Sequence, residues 1–161
     1  STTHQHDKAD ITQLDTIRHN YNQKLAEDSP RLTVTAVIIR ILGMLLKKFP
    51  ELNSQLDMEN NQLLLKKQIH VGVAVDSGRG LLVPVIRDVG RKSILDIIRE
   101  LDDIARRTRS GDIKSDELRG STFTLSNLGG IGGVAFNPII NPPEVAILGV
   151  AKAERLPVYH C

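Results

Sequence analysis

The spacing of the apolar residues changes along the chain, and this change limits the folds that the chain can adopt. Apolar residues recur at helical spacing up to Lys48 and again after Ser93. Residues 53–88 and 121–150 instead carry short apolar runs separated by turn residues. Helices followed by a hairpin, a further helix and further strands are typical of an α+β domain. The sequence therefore predicts a mixed sheet packed with helices rather than regular βαβ winding.

The first predicted helix is a surface helix, because its apolar stripe is narrow. Thr12 and Asp15, three residues apart, approximate a capping box, although Asp10 can also start the helix. We expect this helix to end near Asp28, since Pro30 bars its extension.

Two further helices are predicted to belong to the core. The segment from Val34 to Lys48 is apolar on nearly every side, which is typical of a helix buried in a core or under a sheet. Ser93 starts the other helix, a broad apolar face follows, and Gly111 stands where a left-handed C-terminal residue is favoured.

The strands are predicted from short apolar runs bounded by turn residues. Residues 76–80 are rich in turn formers, which indicates an antiparallel hairpin, and Pro84 favours an edge position or a bulge. The last predicted strand is expected to be short and buried. The predicted strands are Gln62–Lys66, Ile69–Val75, Leu81–Ile86, Ser121–Ser126 and Val145–Val150.

Composition excludes several classes of function. A chain of 161 residues is long enough for one domain with a core. A net charge of +2, five Phe and Tyr residues in total and no Trp argue against a nucleic-acid partner. The apolar run from Leu32 to Leu46 contains Arg40 and is shorter than the ~20 residues that span a bilayer, so no membrane partner is expected. One cysteine and no visible secretory signal fit the cytoplasm or an organelle matrix.

Two histidine-containing groups are candidate sites that the residue pattern does not support. His4 and His6 lie near two aspartates, but no Cys or His cluster supplies the remaining ligands of a closed zinc site, so no metal is predicted. His160 and Cys161 are adjacent at the end of the chain, where no third group can orient the base for a nucleophile.

Two further features have both a functional and a structural interpretation. The glycine-rich stretch 127–133 follows a predicted strand, but it matches neither phosphate-binding motif and does not open a helix. On the residues alone, a tight backbone crossing is the favoured interpretation. Arg106, Arg107 and Arg109 offer charge for steering an anionic ligand, yet cations also stabilise a helix C-terminus.

Four stretches together carry a family resemblance that none of them carries alone. They are His6–Leu14, the pair Val71–Asp76 and Gly80–Ile86, Phe123–Gly130, and Ile139–Val150. In this order and at this spacing they resemble the catalytic domain of dihydrolipoyl acyltransferases over nearly the whole chain.

The resemblance implies a fold like that of chloramphenicol acetyltransferase, in homotrimers that build a larger hollow core. It implies acyl transfer between the dihydrolipoamide arm of a partner domain and coenzyme A, in a channel between subunits. A histidine in an Asp-His-Arg-x-x-Asp-Gly motif removes the thiol proton, and a hydroxyl of the facing subunit binds the oxyanion. By motif position that hydroxyl belongs to Ser126. The resemblance assigns no residue here to coenzyme A binding.

The sequence departs from the family at the histidine motif, which contains the general base. The motif is expected some tens of residues after Val158, and no Asp-His-Arg occurs in the 161 residues. Residues 1–161 are therefore expected to be a partial catalytic domain, inactive alone. We expect residues 1–161 to include neither the lipoyl domain nor the small domain that binds the 2-oxo acid dehydrogenase and dihydrolipoyl dehydrogenase subunits.

The identity of the acyl group is inferred from a few positions. Residues 3, 4 and 7, the pair Ser126-Asn127 and the stretch Glu144–Ala146 favour an acetyltransferase of a pyruvate dehydrogenase complex. Succinyltransferases tend to carry Thr at the Ser126 position. A branched-chain or succinyl acyltransferase, a non-catalytic core component and a free-standing coenzyme A dependent acetyltransferase remain alternatives.

Overall fold

The computed structural model describes residues 2–130 and 133–159. In this part of the chain three α-helices are present: α1 (Thr12–Gln23), α2 (Val34–Lys48) and α3 (Ile94–Ser110). Eight short strands accompany them: β1 (Ser54–Asp57), β2 (Gln62–Leu65), β3 (Val71–Val73), β4 (Val75–Asp76), β5 (Leu81–Leu82), β6 (Val85–Ile86), β7 (Phe123–Asn127) and β8 (Ile147–Val150).

A four-stranded mixed sheet in the order β6-β3-β7-β8 forms the centre of the fold. Strand β3 pairs antiparallel with β6 and parallel with β7, and β7 pairs parallel with β8. The predicted α+β class with a mixed sheet is therefore confirmed. Strands β4 and β5 form the predicted antiparallel hairpin. Pro84 directly precedes β6, an outer strand of the sheet, as expected for a residue without a backbone donor.

The hydrophobic core lies between one face of this sheet and the helices α2 and α3. A fully buried Val, Leu or Ile side chain stabilises the fold by about 1.5–3 kcal/mol relative to its exposed state. Among the described residues, no helix has the length and apolar character needed to cross a bilayer. Core side chains that are completely excluded from solvent are Ala36, Ile39, Val71, Ile86, Val89, Ile97 and Leu125.

Helix α1 begins at the predicted residue but is shorter than expected. The predicted capping box is not formed; instead, Asp10 accepts hydrogen bonds from the backbone N–H and the hydroxyl of Thr12. The helix ends at Gln23, before the predicted Asp28. The side chain of Asn22 binds the backbone N–H and C=O of Leu32. These bonds fold the chain back on the end of the helix, so the helix ends well before Pro30.

Helices α2 and α3 have the predicted positions, but the burial of α2 was predicted incorrectly. One side of α2 faces the core, whereas Met44 and Leu45 on the other side are 52% and 43% exposed. The reason is that α3 and the sheet cover one side of α2 within the described chain. Ser93 and Asp96 form a capping box at the start of α3, and Gly111 ends it with a left-handed φ of 83°.

Several strand predictions need correction. Strand β1 was not predicted, because Leu56 is its one apolar residue. The predicted strand 69–75 is divided into β3 and β4, and 81–86 is divided into β5 and β6. Strand β8 is not buried: it is an outer strand of the four-stranded sheet, and Leu148 is 36% exposed.

Candidate functional site

Strand β7 carries the predicted site residue at its C-terminal end. Side chains alternate between the two faces of a strand, and Phe123 and Leu125 belong to the core beside the helices. Thr124 and Ser126 therefore point to the opposite face of the sheet. Ser126 is 8% exposed, and its Oγ forms no hydrogen bond with another described residue.

The residue after Ser126 holds the end of β7 against a helix. The Asn127 Nδ2 donates to the Thr35 Oγ1 on α2 at 2.8 Å. Its Oδ1 accepts from the backbone N–H of Gly129, also at 2.8 Å, and closes a turn at the start of the glycine-rich stretch. Asn127 thereby limits the movement of Ser126, a role that the residue pattern did not predict.

Close contacts in the glycine-rich stretch are found at Gly129, where a Cβ would stand 2.9 Å from the Asn127 Oδ1 and 3.8 Å from the Ala151 carbonyl oxygen. A Cβ added at Gly130 or Gly133 would meet no other atom within 4 Å, so neither position depends on the absence of a side chain to admit a neighbouring segment. Gly133 has a φ of +100°, which disfavours a residue with a side chain. Residues 131 and 132 lie outside the described part.

Gly149 is the residue directly opposite Ser126 on β8. A Cβ on Gly149 would stand 2.9 Å from the ring of Phe136 and 3.2 Å from the ring of Pro138. Since such distances are shorter than normal contacts, both rings pack directly against the backbone of Gly149. The segment that contains Phe136 thus covers the sheet face beside Ser126.

A buried carboxylate, which the sequence analysis named only for the choice of acyl group and not as a site residue, lies on the same face of the sheet. Glu144 is 7% exposed and accepts a hydrogen bond from the Ser121 hydroxyl at 2.5 Å. Its other oxygen accepts from the Thr124 hydroxyl at 2.7 Å. A signal was available in the sequence: an acidic residue stands directly before the apolar run that forms β8.

The other predicted candidates remain outside this site. His4 and His6 are exposed, and in the described residues no group of three or more His, Cys, Asp or Glu could hold a metal ion. His160 and Cys161 lie outside the described part.

The arginines at the end of α3 include one with a clear structural role. Arg107 binds Asp103 at 2.8 Å and both oxygens of Glu117 at 2.8 and 2.7 Å. The hydrogen bonds from Arg107 lower the pKa of Glu117 to about 2. Arg106 donates to Asp103, and Arg109 is exposed. For Arg107 the structural interpretation is the better supported one.

Comparison with known proteins identifies the family. The family model of the 2-oxoacid dehydrogenases acyltransferase (catalytic domain) matches residues 1–161. The chain belongs to this acyltransferase family. A curated relative is the dihydrolipoyllysine-residue acetyltransferase component of the pyruvate dehydrogenase complex of Cupriavidus necator, 44% identical over 154 residues. The match covers 96% of this chain and 28% of the relative, so the chain spans about 28% of that protein's length.

Solved acyltransferase structures have the same fold. One comes from crystallographic and enzymatic work on a serine, a histidine and an asparagine in the catalytic mechanism of Azotobacter vinelandii dihydrolipoamide acetyltransferase. It superposes with a TM-score of 0.88 at 44% identity, covering 94% of this chain and 62% of that one. Another, with the same values, is the cubic core of the pyruvate dehydrogenase multienzyme complex. The family resemblance and the acyltransferase fold predicted from the sequence are thereby confirmed.

Proposed function

We propose that the protein containing this chain transfers an acetyl group between dihydrolipoamide and coenzyme A, and that Ser126 stabilises the oxyanion. The observation that carries the proposal is the state of the Ser126 hydroxyl. It is nearly buried, forms no hydrogen bond with another described residue, and lies on the sheet face away from the helices. A hydroxyl that has no hydrogen-bond partner among the described residues can donate to an oxygen that develops negative charge.

The proposed chemistry is attack of a thiol on a thioester. A general base takes the proton from the attacking thiol, and the new C–S bond converts the carbonyl into a tetrahedral oxyanion. The Ser126 O–H donates to this oxyanion. When the oxyanion collapses, the old C–S bond breaks and the leaving thiolate takes up the proton. No Asp-His-Arg occurs in the 161 residues, so the proposal places the histidine base outside them.

The proposal includes an assembly and a location. Relatives named as components of pyruvate dehydrogenase complexes, and the cubic core of such a complex, support homotrimers that build a larger core. The lipoyl group would be carried on one domain outside residues 1–161, and a separate small domain would bind the dehydrogenase partners. Bacterial relatives favour the cytoplasm over a mitochondrial matrix.

The test replaces Ser126 by Ala in the full-length, assembled protein. Removing one oxyanion donor typically lowers kcat about 10²- to 10³-fold, because the donor acts mainly in the transition state. We expect such a loss with little change in KM for coenzyme A and with intact assembly by light scattering. Ser115→Ala is the matched control, since Ser115 is an exposed serine outside β7. Unchanged turnover in Ser126→Ala would refute the oxyanion role.

A second measurement addresses the acyl group. Rates with acetyl, succinyl and branched-chain thioesters are compared at equal concentration. The proposal predicts the highest kcat/KM for the acetyl thioester. A preference for either of the larger acyl groups would contradict it.

A further inference from the structure

We infer that Glu144 is a positioning residue: its carboxylate fixes both strand β7 before Ser126 and the segment that covers the sheet beside Ser126. The inference rests on the proposed role of Ser126, and it adds Glu144 as a second residue that turnover depends on.

The hydrogen bonds of Glu144 require the hydroxyls of Ser121 and Thr124 to hold a fixed orientation. Each carboxylate oxygen accepts from a different hydroxyl, one of Ser121 and one of Thr124. Among the described residues no Lys, Arg or His forms an ion pair with Glu144. A buried carboxylate without such a cation depends on hydrogen bonds. Both hydroxyls must therefore keep donating, and charge strengthens both bonds.

The hydrogen bond to Thr124 acts on the same strand face as Ser126. The two residues are two positions apart on β7, so their side chains point the same way. Thr124 is 2% exposed, and its hydroxyl is held at 2.7 Å from the carboxylate. Fixing the Thr124 side chain limits rotation of the strand about its own axis. The direction of the Ser126 Oγ is limited with it.

Glu144 also fastens one end of the covering segment, residues 133–144. Its backbone forms an isolated antiparallel bridge with Gln55. At the other end, the Lys152 N–H donates to the Gly133 carbonyl at 3.2 Å. Between these points Phe136 packs on Gly149, the residue opposite Ser126. Losing the carboxylate would loosen the segment that forms the wall beside the Ser126 hydroxyl.

The experiment is a double-mutant cycle in the full-length, assembled protein, with Glu144→Ala, Ser126→Ala and the double variant. We expect Glu144→Ala to lower kcat about 10- to 100-fold, since a misplacement of about 1 Å can cost this much. In the Ser126→Ala background, the same substitution should lower kcat less than about 2-fold, because the positioned hydroxyl is already gone. A loss of the same factor in both backgrounds would overturn the inference.

Two conservative variants keep the test decisive if Glu144→Ala does not assemble. Glu144→Gln preserves size and hydrogen bonding, because the amide can accept from one hydroxyl and donate to the other. Glu144→Gln should therefore keep most of the wild-type turnover, and a loss as large as the one expected for Glu144→Ala would count against the inference. Thr124→Val removes one of the two donors and should give a smaller loss, again absent in the Ser126→Ala background. Wild-type turnover in Thr124→Val would count against the inference.

A matched control separates positioning from general loosening. Thr108 is 1% exposed, and its hydroxyl donates to the Ile104 carbonyl at 2.6 Å within α3. Thr108→Val should reduce stability and leave turnover unchanged. An equal loss of turnover in this control would overturn the inference.

The outcomes also distinguish this inference from the proposed function. If Ser126→Ala is impaired and both Glu144→Ala and Thr124→Val are not, the inference fails alone. If Ser126→Ala has normal turnover, the oxyanion role fails and the positioning role fails with it.

Discussion

The ion pair between α3 and the turn before β7 should make the stability of the protein depend on pH, and the size of this dependence can be predicted. Arg107 on α3 contacts both oxygens of Glu117, which belongs to the 3-10 turn Ser115–Leu118. Glu117→Gln keeps the shape of the side chain, removes its charge and turns one acceptor into a donor that faces Arg107. The substitution therefore weakens the link between this turn and the helix.

The size of the effect follows from the pKa of Glu117. A lowering from 4.5 to about 2, caused first by the hydrogen bonds from Arg107, corresponds to about 3 kcal/mol for a pair shielded from solvent. The side chains of Arg107 and Glu117 are 24% and 28% exposed, so water screens the pair. We expect Glu117→Gln to lower the free energy of unfolding by about 1 kcal/mol at pH 7.

The direction of the pH dependence is fixed by the same pKa. Because the pKa is lower in the folded state, the stabilisation is present above about pH 4.5 and is lost as the pH falls toward about 2. The stability difference between wild type and Glu117→Gln should therefore shrink over this range.

Urea denaturation at a series of pH values and at one fixed protein concentration measures this difference. Glu59→Gln is the matched control, since Glu59 is exposed in the turn between β1 and β2. It should change stability by less than about 0.5 kcal/mol. A stability difference for Glu117→Gln that stays constant from pH 7 to pH 2.5, or that grows on acidification, would refute the reasoning.

Two further substitutions test the packing and capping of the helices. Gly43→Ala should destabilise the protein, because its Cβ would stand 2.8 Å from the buried Val89 carbonyl oxygen. Overpacking of this kind costs about 1–3 kcal/mol, which outweighs the advantage of about 1 kcal/mol that Ala has over Gly in a helix. Higher stability of the variant in urea would contradict this. Ser93→Ala should lower the free energy of unfolding by about 1 kcal/mol, because it removes the hydroxyl that accepts from the Asp96 N–H. A thermal melt identical to that of wild type would show that the cap contributes nothing.

The elements that the residue pattern predicted best are those stabilised by local interactions. The bounds of α2 and both ends of α3 follow from caps, apolar spacing and a C-terminal glycine, which act within one or two turns of helix. The predicted hairpin formed for the same reason, since residues 76–80 favour a turn wherever they lie. The family was also evident in ordered motifs spread along the chain, and the match over residues 1–161 confirms it.

The features that were missed depend on contacts between distant residues. Helix α1 ends early because Asn22 binds Leu32, ten positions away, and no local signal marks that contact. The outer side of α2 is apolar in composition and yet exposed, since burial is set by what packs against a helix.

The candidate site follows the same division. The position of Ser126 at the end of a strand could be inferred from apolar runs and motif order, which are local properties of the chain. The contacts around it could not. Glu144 reaches Thr124 across 20 positions, Asn127 reaches Thr35 across 92, and the ring of Phe136 packs on Gly149 from a segment outside the sheet. Hydrogen bonds and ring contacts of this kind exist after the strands have paired, because strand pairing and loop packing bring these residues within a few ångströms.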